Sequence, residues 1–331
     1  MSIVRVLRAG LSTTVQDFGR PSLREYGVPC AGAMDRLSHE LANRLVGNPA
    51  EAATLEMTLS GDELEWPDGG LIAVTGGEMS PVLFDVDLPE SCVPLQTPVR
   101  VPPGARIRFG TARRGCRSYV AVAGGLAVPR VMGSRSTYLR ANIGGFQGRI
   151  LQAGDEIPVG DSDGQRCDLA TGEGISFGKW FVRPLDLPNS EDAGLRVMRG
   201  SHFGLLSEQS QASIWTDRFV VSARSDRMGY RLSGNALNVQ STGDLLSEGT
   251  AIGTLQLPPD GDPILLMADS APTGGYARIA HVISADLPLA AQLRPGQRVH
   301  FKETTLQTAH ALLRQQRNDI EKAMLRIRLQ G

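Results

Sequence analysis

Short apolar runs closed by Gly, Pro, Asp or Asn dominate this chain. "SIVRVL", "LIAVTG", "RIRFG", "SYVAVAGG", "RFVVSA", "PILLMAD" and "RVHF" are all of this kind. Their length and their punctuation predict β-strands. Helical periodicity is rarer. "MDRLSHELANRLVGN" sets Leu37, Leu41 and Leu45 on one face, with Gly47 as a C-terminal stop. The same wheel puts His39 on the polar face, where solvent is its expected partner. From Thr304 onward Leu306, Leu313, Ile320 and Ile327 recur every seven residues, with Ala309, Ala323 and Met324 near the intermediate positions. This predicts a C-terminal helix that either covers its own body or docks onto a further chain.

A repeat is visible at one fixed offset. Phe109 of "PPGARIRF" and Phe301 of "RPGQRVHF" lie 192 residues apart, as do Pro67 and Pro259, Asn43 and Asn235, Glu56 and Glu248, Gly61 and Gly253, and Leu95 and Leu287. The pattern predicts two halves of one β-rich fold. The polar, Gly-rich stretch from Val159 to Gly174 is the expected boundary.

Composition narrows the function classes. The chain has 331 residues, enough for two domains, and 38 glycines and 20 prolines suit many turns. A formal net charge of −1 gives no basic excess for nucleic acid. Cys30, Cys92, Cys116 and Cys167 form no C-x-x-C pair and do not cluster with the five histidines, so no zinc site is expected. "MSIVRVLRAG" has no apolar signal core, and no run is long enough for a membrane span. A cytoplasmic protein with reduced thiols is the expectation.

Charge concentrates instead in a few glycine-rich stretches. "TTVQDFGRPSLREYGVPCAGAMDR" gathers Gln16, Asp17, Arg20, Arg24, Asp35 and Arg36 around Gly19, Gly27 and Gly32. "SARSDRMGYRLSG" supplies Arg224, Asp226, Arg227, Tyr230 and Arg231. In "DSAPTGGYARIAHV", Asp269 ends an apolar strand, Thr273, Gly274 and Gly275 follow, and then Tyr276 and Arg278. The glycines can take backbone angles that turn N–H groups toward an anion, and Arg278 can offer fork-shaped donors to a carboxylate or phosphate. Turn architecture is the competing reading: Arg–Asp pairs often tie strands together, and Thr-Gly-Gly suits tight hairpins. Met228 and Leu232 can equally be buried, with the arginines bridging the two halves. No P-loop and no nucleophile elbow is present.

The same stretches carry a family resemblance. "GLSTTVQDFGRPSLREYGVPCAGAMDRLSHELANRLVGNP", "RGCRSYVAVAGGLAVPRVMGSRSTY", "SDRMGYRLSG" and "DSAPTGGYARIAHV", in this order, resemble the blocks of the 5-oxoprolinase C-subunit / KipA family, also called allophanate hydrolase subunit 2. The resemblance runs from about Leu11 to Phe301. It implies a mainly β protein of two tandem cyclophilin-like β-barrel domains, with few short helices and a C-terminal helix. The corresponding boundaries are 1–165, 166–303 and 304–331.

The resemblance also implies two partners, a KipI-like B subunit plus an A subunit, and ATP-driven opening of 5-oxoproline to glutamate. ATP and Mg2+ are then the expected cofactors, shared with or held by the partners. Two other roles are known for such modules: regulation by binding a KipI-like protein, and carboxyl transfer in biotin-dependent urea carboxylase, where biotin is the cofactor. A lactam carbonyl is a poor electrophile. Phosphorylating its oxygen needs surrounding positive charge, which Arg224, Arg227, Arg231 and Arg278 would supply. Asp226 and Asp269 would orient those arginines or hold Mg2+. Tyr230 and Tyr276 would hydrogen-bond substrate. One departure bears on this: Ala271, Pro272 and Arg278 stand where the family often has Gln, Thr and Lys. Ala offers no side-chain hydrogen bond, and Arg stays protonated. Both weaken the carboxyl-transfer reading more than the lactam one.

Overall fold

A computed structural model describes residues 2–85, 88–161, 176–177, 192–240 and 245–330. The expected boundary at 165/166 and Cys167 lie outside the described residues. The chain separates into two compact units. One comprises Met1–Gly19, Asp35–Leu187 and Asp319–Gly331; the other comprises Arg20–Met34 and Pro188–Asn318.

The first unit holds two six-stranded sheets. Its elements are β1 (Ile3–Arg8), β2 (Ser12–Gln16), α1 (Arg36–Leu45), β3 (Thr54–Thr58), β4 (Glu63–Trp66), β5 (Gly70–Glu78), β6 (Val82–Asp85), β7 (Leu88–Cys92), β8 (Pro98–Val101), β9 (Ala105–Arg108), β10 (Arg114–Val122), β11 (Glu156–Pro158) and β12 (Ser176–Phe177). One sheet runs β11-β1-β4-β9-β6-β7, the other β12-β8-β5-β10-β3-β2. Val4 and Val6 of β1 alternate with partly exposed neighbours and bury completely, and they share a core with Leu55, Trp66, Ile72, Ile107 and Val120.

Helix α1 follows its apolar stripe. Asp35 caps it by accepting from the Ser38 N–H at 3.0 Å, and Leu37, Leu41 and Leu45 are buried. The expected solvation of His39 is overturned: it is 0% exposed. Part of the polar face of α1 is buried as well: Arg36 stays exposed, but Ser38, His39 and Asn43 do not. Ser38 accepts from Thr75 Oγ1 through its carbonyl at 2.7 Å, His39 Nδ1 pairs with Thr54 Oγ1 at 2.9 Å, and Asn43 donates to the Ala52 carbonyl at 2.7 Å. Beneath it Tyr119 donates to Glu56 at 2.7 Å and accepts from the Asp35 N–H at 2.8 Å. Burial pushes the Tyr119 hydroxyl well above its ordinary range, with the Glu56 charge adding to this.

The second unit is a closed seven-stranded barrel. Its elements are β13 (Asp192–Arg199), α2 (Glu208–Thr216), β14 (Phe219–Val221), β15 (Gly229–Ser233), β16 (Glu248–Gly249), β17 (Thr254–Leu257), β18 (Ile264–Leu266), β19 (Thr273–Gly274), β20 (Ala277–Val282), α3 (Leu287–Ala291), β21 (Arg298–Glu303) and the part of α4 (Leu306–Gln330) up to Asn318, the remainder of α4 belonging to the first unit. The barrel order is β13-β20-β17-β18-β15-β14-β21, closed by the parallel pairing of β21 with β13. Leu195, Val197, Phe219, Leu232, Leu255, Ile279, Val299 and Phe301 fill it, and Met34 from the N-terminal segment joins this core. β16 and β19 form a separate two-stranded ribbon.

The molecule is therefore mainly β, with few helices, as expected. The 192-residue offset aligns turns but not strand pairings. β9 lies beside β4, whereas β21, at the offset of β9, lies beside β13 and β14 and not beside β17. In α4, Ala309 and Met324 bury deeply while Leu306 is exposed. Gln316 donates to the Ala285 carbonyl at 3.2 Å in the second unit, and Glu321 pairs with Arg44 in the first. Among the described residues no helix is long and apolar enough to cross a membrane.

Candidate functional site

The charged stretch between β14 and β15 is first of all a turn. Asp226 accepts from the N–H groups of Met228 and Gly229 at 2.8 and 3.2 Å, and Ser225 Oγ accepts from the Arg231 N–H at 3.1 Å. Short polar side chains capping nearby backbone is what fixes such a reversal. Arg224 and Arg231 are exposed. Tyr230 points into the barrel, is 2% exposed, and donates to the Ala291 carbonyl at 3.4 Å. It is a core residue, not a substrate contact.

Arg227 behaves differently. Its Nε and Nη2 donate to the two carboxylate oxygens of Asp269 at 3.0 Å each, and Nη2 also donates to the Gly32 carbonyl at 2.5 Å. Both side chains are nearly buried. This fork-on-carboxylate pair joins the β15 turn to the end of the β18 segment and clamps the N-terminal segment 20–34 onto the barrel. Asp226 and Asp269 are thus committed to backbone and to Arg227. Among the described residues no three His, Cys, Asp or Glu groups gather closely enough to hold a metal ion. The donor set does not fit the Mg2+ role expected of these two aspartates.

Arg278 occupies the outer face of β20. It pairs with Glu248 of β16, and its Nη1 donates to the Gly249 carbonyl at 3.0 Å. Its own backbone is bracketed by His202, which donates N–H to the Arg278 carbonyl at 3.0 Å and accepts the Arg278 N–H on Nδ1 at 3.1 Å. His281, three residues on, pairs through Nδ1 with Thr254 Oγ1 at 3.1 Å. Burial first, then the Arg278 charge, lowers the pKa of both His202 and His281. Both are therefore neutral near pH 7, and the local cation is Arg278.

Strand register sets the rest of this face. Arg231 opposes Ile264, Ile264 opposes Gln256, and Gln256 opposes Arg278. Directly opposed residues share a face, so these four form one outer row. Arg231 and Arg278 stand three strand spacings apart, about 14 Å at ~4.8 Å each. The four arginines are therefore not one cluster. Arg227 and Arg278 each have a carboxylate, and Arg224 and Arg231 face solvent.

The ribbon β16–β19 covers part of this row. Glu248 opposes Gly274 and Gly249 opposes Thr273. The Thr250 N–H and Oγ1 donate to the carbonyls of Pro272 and Ala271 at 2.9 and 2.7 Å, and Arg24 donates to the Thr250 carbonyl at 2.5 Å. Gly274 and Gly275 are not in a left-handed conformation, so the expected nest of converging N–H groups is absent there. Gly274 is small for another reason: a Cβ there would stand 2.5 Å from Gln256 Nε2. Thr273, Gly275 and Tyr276 are exposed. Under the ribbon, Gln256 is 5% exposed and its Nε2 has no hydrogen-bond partner among the described residues; Ser270 Oγ, at the start of the same loop, also has none.

Sequence reasoning singled out Arg278 and the loop before it but missed Gln256, Glu248 and His202. A lone Gln in an apolar strand, "TLQL", was the signal for the first. It also grouped Arg24 with Asp17 and Asp35. The structure assigns Arg24 to the barrel unit and the two aspartates to the other. Asp17 is spent on the loop at 134–136, accepting from Ser134 Oγ, Ser136 Oγ and the Arg135 N–H.

Comparison with known proteins agrees with this architecture. A family model described as carboxyltransferase domain, subdomain A and B, matches residues 26–303. The chain is 38% identical over 307 residues to the 5-oxoprolinase C subunit of Escherichia coli (strain K12), covering 93% of each. It is 33% identical over 312 residues to the 5-oxoprolinase C subunit of Haemophilus influenzae, covering 94% of each. Among solved structures it resembles the K. lactis urea amidolyase with a TM-score of 0.86 and 29% identity, covering 97% of this chain and 20% of that one. The chain thus spans about a fifth of the solved amidolyase but nearly all of each bacterial relative. A match reaching through both units, joined to identity of this extent along almost the whole chain, places it in the carboxyltransferase-domain (subdomain A and B) family, beside the 5-oxoprolinase C subunits.

Proposed function

We propose that this chain is the C subunit of an ATP-dependent 5-oxoprolinase that opens 5-oxoproline to glutamate in the cytoplasm, working with an A subunit plus a KipI-like B subunit. The observation that carries this is the 38% identity to a 5-oxoprolinase C subunit over 93% of both chains. Arg278 supports it chemically. It is a partly covered guanidinium (19% exposed) on a glycine-lined face, and its Glu248 partner is a half-exposed carboxylate that a substrate carboxylate can replace. Because Asp226 and Asp269 are already committed, ATP and Mg2+ in this proposal belong with the partner chains. The test is ATP hydrolysis by the co-purified assembly. Turnover should depend on 5-oxoproline and fall at least tenfold in Arg278→Ala. Turnover no greater than that of the partners alone rejects the proposal.

A second reading, carboxyl transfer with biotin on a partner, draws on the amidolyase fold match. Ala271 and Pro272 count against it, because neither side chain can hold an amide. Streptavidin blotting of the purified assembly decides: a biotinylated partner supports this reading, and none removes it.

A further inference from the structure

We propose that Gln256 and Arg278 form a recognition subsite for a small ligand that carries both a carbonyl and a carboxylate, and that the β16–β19 ribbon is its movable cover. The proposal deepens the lactam reading, on which it rests, by naming the residues that would meet the ring.

Gln256 sits on the outer wall of the barrel, yet it is 5% exposed and its Nε2 has no partner among the described residues. Leaving a buried amide N–H unmade is costly and uncommon in native structures, so a partner absent from the ligand-free state is the physical expectation. Its cover is thin. The ribbon has two residue pairs, and two-stranded ribbons are marginal without a packed face. Apolar anchorage is limited to one side: Leu245 packs against the barrel core, but Leu246 is 86% exposed and Tyr276 is 47% exposed. Polar ties dominate instead, from Arg278 to Glu248 and the Gly249 carbonyl, and from Arg24 to the Thr250 carbonyl. Segments with few apolar contacts open at low free energy.

The chemistry of the opened site follows from register. Gln256 and Arg278 are directly opposed, so their Cβ atoms lie about 5 Å apart. In a five-membered lactam acid the carbonyl carbon and the carboxylate-bearing carbon flank one ring nitrogen. Such a molecule presents its carboxylate to Arg278, displacing Glu248, and its carbonyl oxygen to the Gln256 amide. Charge is conserved in the exchange, since one carboxylate replaces another. Gly274 completes the fit, because any side chain there strikes the Gln256 amide.

Hydrogen exchange on the full chain tests this, with 5-oxoproline, N-acetylglycine and glutarate as probes. Amides of 245–249 and 273–276 should exchange fast in the free protein and change at least threefold with 5-oxoproline. Gln256→Leu should weaken that response tenfold or more while melting no lower than the parent protein, because it removes an orphaned donor. Glu248→Gln should speed ribbon exchange without ligand. No response of these amides to any probe, or a wild-type response in a folded Gln256→Leu, overturns the subsite. A ligand response without turnover in the assembly overturns the 5-oxoprolinase reading and leaves the subsite standing.

Discussion

His39 lies on the polar side of its helix in sequence and inside a buried polar network in the fold. Burial above all lowers its pKa from 6.5 to about 4; Asp17 and Glu56 pull the other way and Arg36 adds to the fall. Between these values the unfolded chain binds a proton that the folded chain does not. This contribution to stability is complete above about pH 6.5 and drains as the pH drops toward 4, by about 3 kcal/mol at ~1.4 kcal/mol per unit. Urea midpoints of His39→Gln and the parent protein should converge in their pH slope above 6.5 and diverge below it, with the variant flatter. Equal slopes throughout that window would refute the assignment. Arg227 and Asp269 make a second residue-scale case. Asp269→Asn leaves the Arg227 guanidinium buried without its counter-charge, and should cost about 3 kcal/mol in chemical denaturation. Loss of activity with unchanged stability would instead mean a substrate role for that pair.

At the scale of elements, caps and ribbons carry the predictions. Helix α1 starts where Asp35 accepts from the Ser38 N–H and hydroxyl. Asp35→Ala should lower stability by about 1–2 kcal/mol, read as a melting shift, since its N-cap is lost and Ser38 is left buried. Asp35→Asn should recover part of that, because an amide oxygen still caps. Strands such as β1 and β21 were legible in the sequence because short apolar runs closed by turn residues report locally, and in both, two alternate residues prove buried; β13 gave no such signal. The ribbon was not legible. "TGG" reads as a turn by its composition, and only pairing with Glu248 and Gly249, far upstream in the chain, makes it a strand.

At the scale of the molecule, the segment 20–34 matters most. It precedes the first unit's helix in sequence yet belongs to the barrel unit, where Met34 joins the core and the Gly32 carbonyl receives Arg227. A fragment of residues 188–318 should therefore unfold with low cooperativity. Adding a peptide of residues 20–34 should raise its melting temperature as peptide concentration rises, as mass action requires. A fragment that melts sharply and ignores the peptide would show the barrel to be self-sufficient.

The sequence by itself determined the β-rich class, the position of α1 and its buried leucines, the C-terminal helix and the family, because short-range periodicity, turn residues and ordered motifs are local signals. It also raised Arg278 as a candidate site residue. Only tertiary structure decided which arginines were spent, that His39 is buried, and that Gln256 lies sealed beneath a ribbon opposite Arg278. Those outcomes depend on which strands become neighbours and which surface is covered. Such long-range pairing leaves little trace in the spacing of residues along one chain.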